Sequence, residues 1–295
     1  MQFGVLLAFL AYFSFSCSDA AVKALGGSMT VFQIGFFTSL IALFPVLFAK
    51  RAGETWRELL VPRRPRLVLL RMVCGTSSGI LGIYAFTHLP LAEAYALIFL
   101  IPFFVTVLSR LVLKEEIGWR RWIAVAIGLA GVLLVVRPGF NEILPAHFAA
   151  LGVAAFGAIT IIVLRVLGPS ERRVTLMGSV IVAAIATNGA LMIPTFSPPS
   201  LNVVPILVLG GLMSGIGQLL LVTAARLTPA NRIAPTQYGQ IVWATLLGAG
   251  LFGELPDFLA VVGMGLVGAS GLFTFVREEK RAGWSRRTPV VRHRQ

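Results

Sequence analysis

The chain has 295 residues, of which 57% are apolar and only 13% are charged. This composition excludes an ordinary soluble domain and predicts a polytopic membrane protein. The formal net charge of +13 does not indicate nucleic-acid binding, because the basic residues fall between apolar runs and in the C-terminal tail.

Phe3 begins an apolar run that lacks the positively charged start of a secretory signal, so we interpret it as a retained first helix. Apolar runs of about 20 residues can cross a bilayer. Taken in order, they predict ten spans separated by short turns rich in Gly, Pro and Ser. The predicted spans are Phe3–Ala24, Thr30–Ala49, Leu67–Thr87, Leu91–Leu113, Trp119–Val136, His147–Leu167, Val174–Thr195, Leu201–Thr223, Pro229–Gly253 and Phe258–Val276.

The distribution of basic residues predicts the orientation of these spans. With the N-terminus inside, every Lys and Arg except Lys23 and Arg137 falls on the cytoplasmic side. We therefore expect a multi-pass protein of a bacterial-type cytoplasmic (inner) membrane, with both termini in the cytoplasm.

An internal repeat divides the chain into two halves. The motif Lys23-x-Leu25-Gly26 returns as Arg165-x-Leu167-Gly168. A shift of about 138 residues superimposes a second set: it lays Leu89, Ala92, Ala96 and Glu116 on Leu227, Ala230, Ala234 and Glu254. We predict a first five-helix repeat over residues 3–139, a second over 145–277, and a basic cytoplasmic tail over 278–295. Because five is an odd number, the two repeats would have inverted topology.

Polar groups inside apolar spans indicate a candidate site, because the membrane interior penalises them. Asp19 and Lys23 lie four residues apart on one helical face and could pair. Alternatively, Asp19 contacts the substrate or carries a proton. Glu93, near the start of the fourth span, is either stabilised by the helix dipole or is a gate group for a cationic or zwitterionic solute.

The ninth span is the most polar, and its side chains either line a cavity or satisfy neighbouring helices. Proline interrupts the fourth and ninth spans, where it forms either a hinge or a static kink. The full set of predicted cavity residues is Asp19, Tyr84, Glu93, Tyr95, Phe99, Gln218, Gln237, Gln240 and Trp243. The predicted hinge or gate residues are Pro102, Asn231 and Pro235.

Three runs resemble the EamA family of the drug/metabolite transporter superfamily. They are Pro90-Leu91-Ala92-Glu93-Ala94, Leu113-Lys114-Glu115-Glu116 and Gly128-Leu129-Ala130-Gly131. The resemblance implies ten helices, inverted repeats and a central cavity lined mainly by the first, third, fourth, sixth, eighth and ninth spans. Many relatives have an arginine after the aromatic pair of the second span, whereas here Thr38 follows Phe36-Phe37.

These features together predict a secondary transporter, a permease or exporter, that carries a small organic metabolite such as an amino acid by alternating access. The alternatives are an uptake carrier for a nucleoside- or vitamin-like solute and a flippase for a lipid-linked solute. An intramembrane enzyme is disfavoured, because the sequence shows neither paired carboxylates nor a nucleophile–base pair.

We expect no cofactor and no metal. The expected partners are the small-molecule substrate and membrane lipid, and nucleic acid is not among them. The sequence lacks the phosphate-binding motif of an ATPase. Transport is therefore expected to depend on a proton gradient, on exchange or on the solute gradient, with Asp19 and Glu93 as the candidates for proton coupling.

Overall fold

The computed structural model describes residues 2–47, 62–112, 114, 118–137, 142–167, 171, 173–228 and 233–285. Within these residues the secondary structure is helical, without a strand. We number the helices as follows: α1 Gln2–Ala24, α2 Val31–Leu47, α3 Pro65–His88, α4 Leu91–Ile98, α5 Ile101–Leu111, α6 Trp119–Val136, α7 Pro145–Leu167, α8 Arg173–Met192, α9 Val204–Leu227, α10 Gly239–Phe252 and α11 Phe258–Ser285.

Each of the ten predicted spans corresponds to helical structure. Within the described residues, six spans are long and apolar enough to cross a membrane. Shorter apolar helices are Val31–Pro45, Trp122–Val136 and Phe258–Leu272. Large apolar side chains remain exposed around the bundle, such as Leu69 at 59% and Val242 at 57%. An apolar outer surface of this kind suits a lipid environment.

Two spans are broken near the prolines that predicted an interruption. The fourth span consists of α4 and α5, and the break at Phe99 and Leu100 comes just before Pro102. The ninth span begins with a 3-10 turn over Ala234–Tyr238, which contains Pro235, and continues as α10. The missing N–H of proline and the clash of its ring with the preceding turn account for both interruptions.

The helix of the tenth span, α11, is longer than predicted. Residues 277–285, assigned from the sequence mainly to the tail, continue α11 as far as Ser285. This segment is rich in Arg, Glu and Lys, which are good helix formers, so the helix continues although its apolar part has ended.

The largest buried apolar cluster lies at the end of the bundle where α1 ends and α4 begins, which we call the Lys23 end. Leu25, Leu89 and Leu91 there are at most 1% exposed. The cluster joins α1, α3 and α4 to α7, α10 and α11. The Lys23 end is therefore closed by packed side chains.

The helices pack in a reciprocal pattern. Helix α1 packs on α9, while α7 packs on α3; α2 contacts α8; and α6 packs on α11. The α6–α11 contact is close because glycines meet there. A Cβ atom added at Gly131 would lie 2.6 Å from the carbonyl oxygen of Gly263, so only glycine permits this crossing.

Candidate functional site

Three polar side chains from three different helices meet inside the bundle. The Tyr95 hydroxyl of α4 donates a hydrogen bond to Asp19 Oδ2 of α1, and Gln240 Nε2 of α10 donates to the Tyr95 hydroxyl at 3.2 Å. Tyr95 is 3% exposed and Gln240 8%, whereas Asp19 keeps partial exposure. We call these residues the polar triad. It links both halves of the chain at one point.

Aromatic rings surround this triad. Phe86 lies 5.3 Å from the Tyr95 ring, measured between centroids. Phe99 stacks near Tyr95 at 6.1 Å and on Tyr238 at 5.3 Å. The break between α4 and α5 occurs at Phe99, so this ring sits where the helix is interrupted. A row of aromatic faces thus extends from the triad to the 3-10 turn of the ninth span.

Trp243 forms a second aromatic group one turn after Gln240. Its ring lies 5.5 Å from Phe9 and 4.8 Å from Phe13, both on α1. The indole Nε1 is buried and has no hydrogen-bond partner among the described residues. A buried indole N–H usually finds a partner, so the unsatisfied donor of Trp243 is an exception.

A second polar group closes the Lys23 end. Lys23 Nζ lies 2.7 Å from Glu254 Oε1 and donates to the Leu89 carbonyl at 2.6 Å. Glu254 Oε2 accepts the N–H of Leu91 at 3.1 Å, and Lys23 also lies over the Phe252 ring. We call Lys23, Glu254 and the backbone of Leu89 and Leu91 the Lys23 clamp. It connects α1 and the α3–α4 turn to the segment after α10.

The clamp corrects one sequence-based expectation. Asp19 and Lys23 lie on one helical face as predicted, but they do not pair. Lys23 binds Glu254 and Asp19 binds Tyr95. Both partners come from distant parts of the chain, and each offers a better-directed contact than the one available along the helix.

Glu93 also has a partner that the sequence did not indicate. Its Oε1 lies 3.0 Å from Nε2 of His147, at the start of α7. Nδ1 of the same ring lies 2.9 Å from the N of Leu144, so Nε2 is the ring nitrogen that faces Glu93. His147 is the first residue of the sixth predicted span, and a local sequence signal for its contact with Glu93 is absent.

Next to Glu93 is a cavity of about 360 Å³. Its charged lining consists of Glu93, Glu254, Arg137 and Asp257. Arg137 Nη2 lies 2.5 Å from Asp257 Oδ2. The Ala260 N–H, together with Arg137, holds the pKa of the Asp257 carboxyl below its ordinary value. This cavity lies beside the clamp, at the Lys23 end.

The remaining predicted cavity residues are not part of the hydrogen bonds of the triad. Tyr84 is near the end of α3, where its ring lies 4.2 Å from His88. Gln218 and Gln237 are half-buried, and their side chains make no hydrogen bond to another described residue. Asn231 lies outside the described residues. Among the described residues, no group of three His, Cys, Asp or Glu side chains could hold a metal ion.

Known proteins that resemble this chain are transporters. The profile of the EamA-like transporter family matches residues 2–137. The pseudopaline exporter CntI of Pseudomonas aeruginosa is 31% identical over 267 residues, which are 89% of this chain and 92% of the exporter.

Two further relatives are named for other solutes. The S-adenosylmethionine uptake transporter of Rickettsia prowazekii is 26% identical and covers 94% of both chains. The riboflavin transporter of Rhizobium johnstonii is 27% identical, over 86% of this chain and 82% of the relative. A solved crystal structure superimposes with a TM-score of 0.66 at 18% identity, covering 95% of this chain and 99% of the other, and shows a similar fold. This protein belongs to the EamA-like transporter family.

Proposed function

We propose that this protein is a secondary transporter that carries a small polar organic solute across the inner membrane by alternating access. The polar triad is the observation that supports this proposal most directly. Polar side chains are costly inside a membrane bundle and are usually retained where a solute or ion must pass. Here they come from α1, α4 and α10, and Asp19 remains partly exposed.

We further propose that residues 3–139 and 145–277 form two inverted repeats. The reciprocal packing supports this arrangement: if the halves are exchanged, the α1–α9 contact becomes the α7–α3 contact. The contacts of α2 with α8 and of α6 with α11 map onto themselves under the same exchange. A pseudo-two-fold relation of this kind allows a central site to open to either face.

The Lys23 clamp would then be the gate at one face, and the structure would represent the state in which this gate is closed. The tightly packed leucines at the Lys23 end support this assignment. With both termini in the cytoplasm, the Lys23 end faces outward, and the solute site opens inward.

Counterflow in proteoliposomes tests the proposal. Vesicles would be loaded with one unlabelled solute from a panel of amino acids, polyamines, nucleosides, S-adenosylmethionine, riboflavin and sugars. External radiolabelled solute then accumulates only if the protein carries it. We expect accumulation for at least one solute and its loss in the variant Gln240→Leu. The proposal would be contradicted if, for every solute, protein-free vesicles accumulated as much label as the proteoliposomes. Net flux measured from both sides then separates export, as named for CntI, from uptake.

A further inference from the structure

We propose that Asp19 is an exchange site at which a proton and the positively charged group of the transported solute bind in turn. The inference rests on the proposed transporter function and adds to it a coupling ion and a substrate class. It predicts that the solutes are cations or zwitterions that present an ammonium, sulfonium or comparable cationic group.

Asp19 is a carboxylate inside the bundle, and none of the described residues provides it with a cation. Helix α1 carries a single basic residue, Lys23, which is already bound to Glu254 and to the Leu89 carbonyl. An ionised carboxylate without a cation is costly in such surroundings. Either a proton or an incoming cation must therefore offset its charge.

The hydrogen bonds of the triad leave one carboxylate oxygen available. Because Gln240 donates to the Tyr95 oxygen, the proton of the Tyr95 hydroxyl points to Asp19 Oδ2. Oδ1 of Asp19 makes no hydrogen bond to a described residue. A carboxylate can accept about four hydrogen bonds, so a solute could bind Oδ1 without displacing Tyr95.

The aromatic rings near Asp19 favour a cation over an anion. The Tyr95 ring lies between those of Phe86 and Phe99, and Tyr238 extends the row. The negative face of an aromatic ring attracts alkylammonium groups, and the attraction increases when water is excluded. Both features favour the same sign of charge on the solute.

The titratable and charged groups on the helices around α1 leave the role of exchange site to Asp19. Helix α10 has no titratable side chain, and α9 has only Arg226, about four turns beyond the contact of Gly210 with Ser18. The 3-10 turn contributes Tyr238, and α3 contributes Arg66, Arg71, Cys74, Tyr84 and His88, of which Tyr84 and His88 contact each other. The other titratable or charged groups are Tyr12, Cys17 and Lys23 on α1, and Tyr95 and Glu93 on α4, with Glu93 bound to His147.

The exchange preserves charge, and the only covalent bond that forms and breaks is the O–H bond of the Asp19 carboxyl group. A cationic group that arrives from one side replaces the proton, which leaves to water on that side. After the cation departs on the other side, a proton from that side binds Asp19 and the carrier returns. One proton thus crosses in the direction opposite to each monovalent cation.

Carbodiimide labelling tests the proposal, because dicyclohexylcarbodiimide reacts with protonated carboxyl groups in apolar surroundings. The purified full-length protein would be labelled across a pH series, and the modified residue identified by mass spectrometry. We expect labelling at Asp19 that decreases as the pH rises, and none at this position in Asp19→Asn. Asp257→Asn is the matched control, because it makes the same change outside the bundle and should leave the labelling unchanged. Asp19→Glu keeps a carboxyl group at this position. Labelling that persists in this variant shows that the loss in Asp19→Asn does not result from misfolding.

Spermidine, choline and S-adenosylmethionine serve as cationic probes, with glucose and glutamate as neutral and anionic controls. A cation at ten times its Kd leaves only about one tenth of the sites for the carbodiimide. Protection by at least one cation and by neither control supports the exchange site. Protection by no cation, or labelling that is absent or independent of pH, would overturn it. Counterflow that persists in that case would leave the transporter function in place.

Discussion

Neutralising Glu254 is expected to open the Lys23 end of the bundle. The carboxylate contacts Lys23 through one oxygen and the N–H of Leu91 through the other, so it joins both halves of the chain. The variant Glu254→Gln retains the shape of the side chain and an oxygen that can accept from Leu91. It removes the charge that attracts Lys23.

The magnitude follows from the burial of the pair. The side chains of Lys23 and Glu254 are 11% and 23% exposed, between a surface pair and a fully buried one. Exposed pairs contribute about 0.2–1 kcal/mol, while removing one partner of a buried pair costs about 3–5 kcal/mol. We expect a loss of about 2 kcal/mol, which shifts the equilibrium between closed and open gate about thirtyfold.

Cysteine accessibility measures this shift. Ala94 is 0% exposed and lies one turn from Leu91, behind the clamp. A cysteine at this position, in a variant whose native Cys17 and Cys74 are replaced by serine, would react with a maleimide only after the gate opens. We expect Glu254→Gln to raise the reaction rate of detergent-solubilised protein by about thirtyfold at most.

Asp257→Asn is the matched control, because it removes a carboxylate charge at the same end from a more exposed pair. A rate in Glu254→Gln no higher than in this control would refute the gating role of the clamp. Lys23→Met, alone and combined with Glu254→Gln, identifies the partner. If the clamp acts as a pair, the double variant reacts no faster than the faster single variant.

Other predictions test the site, the packing and the surface pair. Gln240→Leu removes the amide that donates to the Tyr95 hydroxyl, and Trp243→Ala removes the indole N–H. Both variants should reduce counterflow without reducing expression. Normal counterflow kinetics in both would exclude this part of the ninth span from the site. Gly131→Ala should lower Tm by several degrees, since overpacking costs about 1–3 kcal/mol, whereas Gly265→Ala should not, because its added Cβ meets no atom within 4 Å. An equal effect of the two alanines would argue against the close α6–α11 crossing. The Ala260 N–H and, after it, Arg137 lower the pKa of Asp257. The ionised carboxylate therefore contributes stability at pH values above its ordinary pKa of about 3.9, and this stability is lost as the pH falls through the lower folded pKa. The Tm difference between wild type and Asp257→Asn should accordingly be constant near neutral pH and shrink in acid; a difference that grows in acid would contradict this.

The helices could be predicted from the sequence because the requirement for a span is local. About 20 apolar residues suffice, and a proline marks where the backbone ladder is interrupted. The breaks near Pro102 and Pro235 followed from this rule. The end of α11 did not, because hydropathy shows where the apolar part ends and not where the helix ends.

The partners of the charged residues could not be predicted in the same way. The helical repeat indicated that Asp19 and Lys23 share a face, and a local rule then suggested that they pair. Their actual partners, Tyr95 and Glu254, depend on how α4 and α10 cross α1. A local sequence pattern does not indicate where such helices cross. Glu93 and His147 were missed as a pair for the same reason.

The triad and the clamp connect α1 to α4 at two successive levels. Lys23 donates to the Leu89 carbonyl just before Pro90 and the start of α4, and its partner Glu254 binds the N–H of Leu91. Asp19 binds Tyr95 one turn further inside. Because Asp19 and Lys23 share a helical face, a shift of α1 that weakens one contact also strains the other. A solute at Asp19 that moves α1 away from α4 would therefore favour an open gate, and an open gate would alter the affinity of Asp19 by the same factor. This reciprocity is what alternating access requires of a site and a gate located only one helical turn apart.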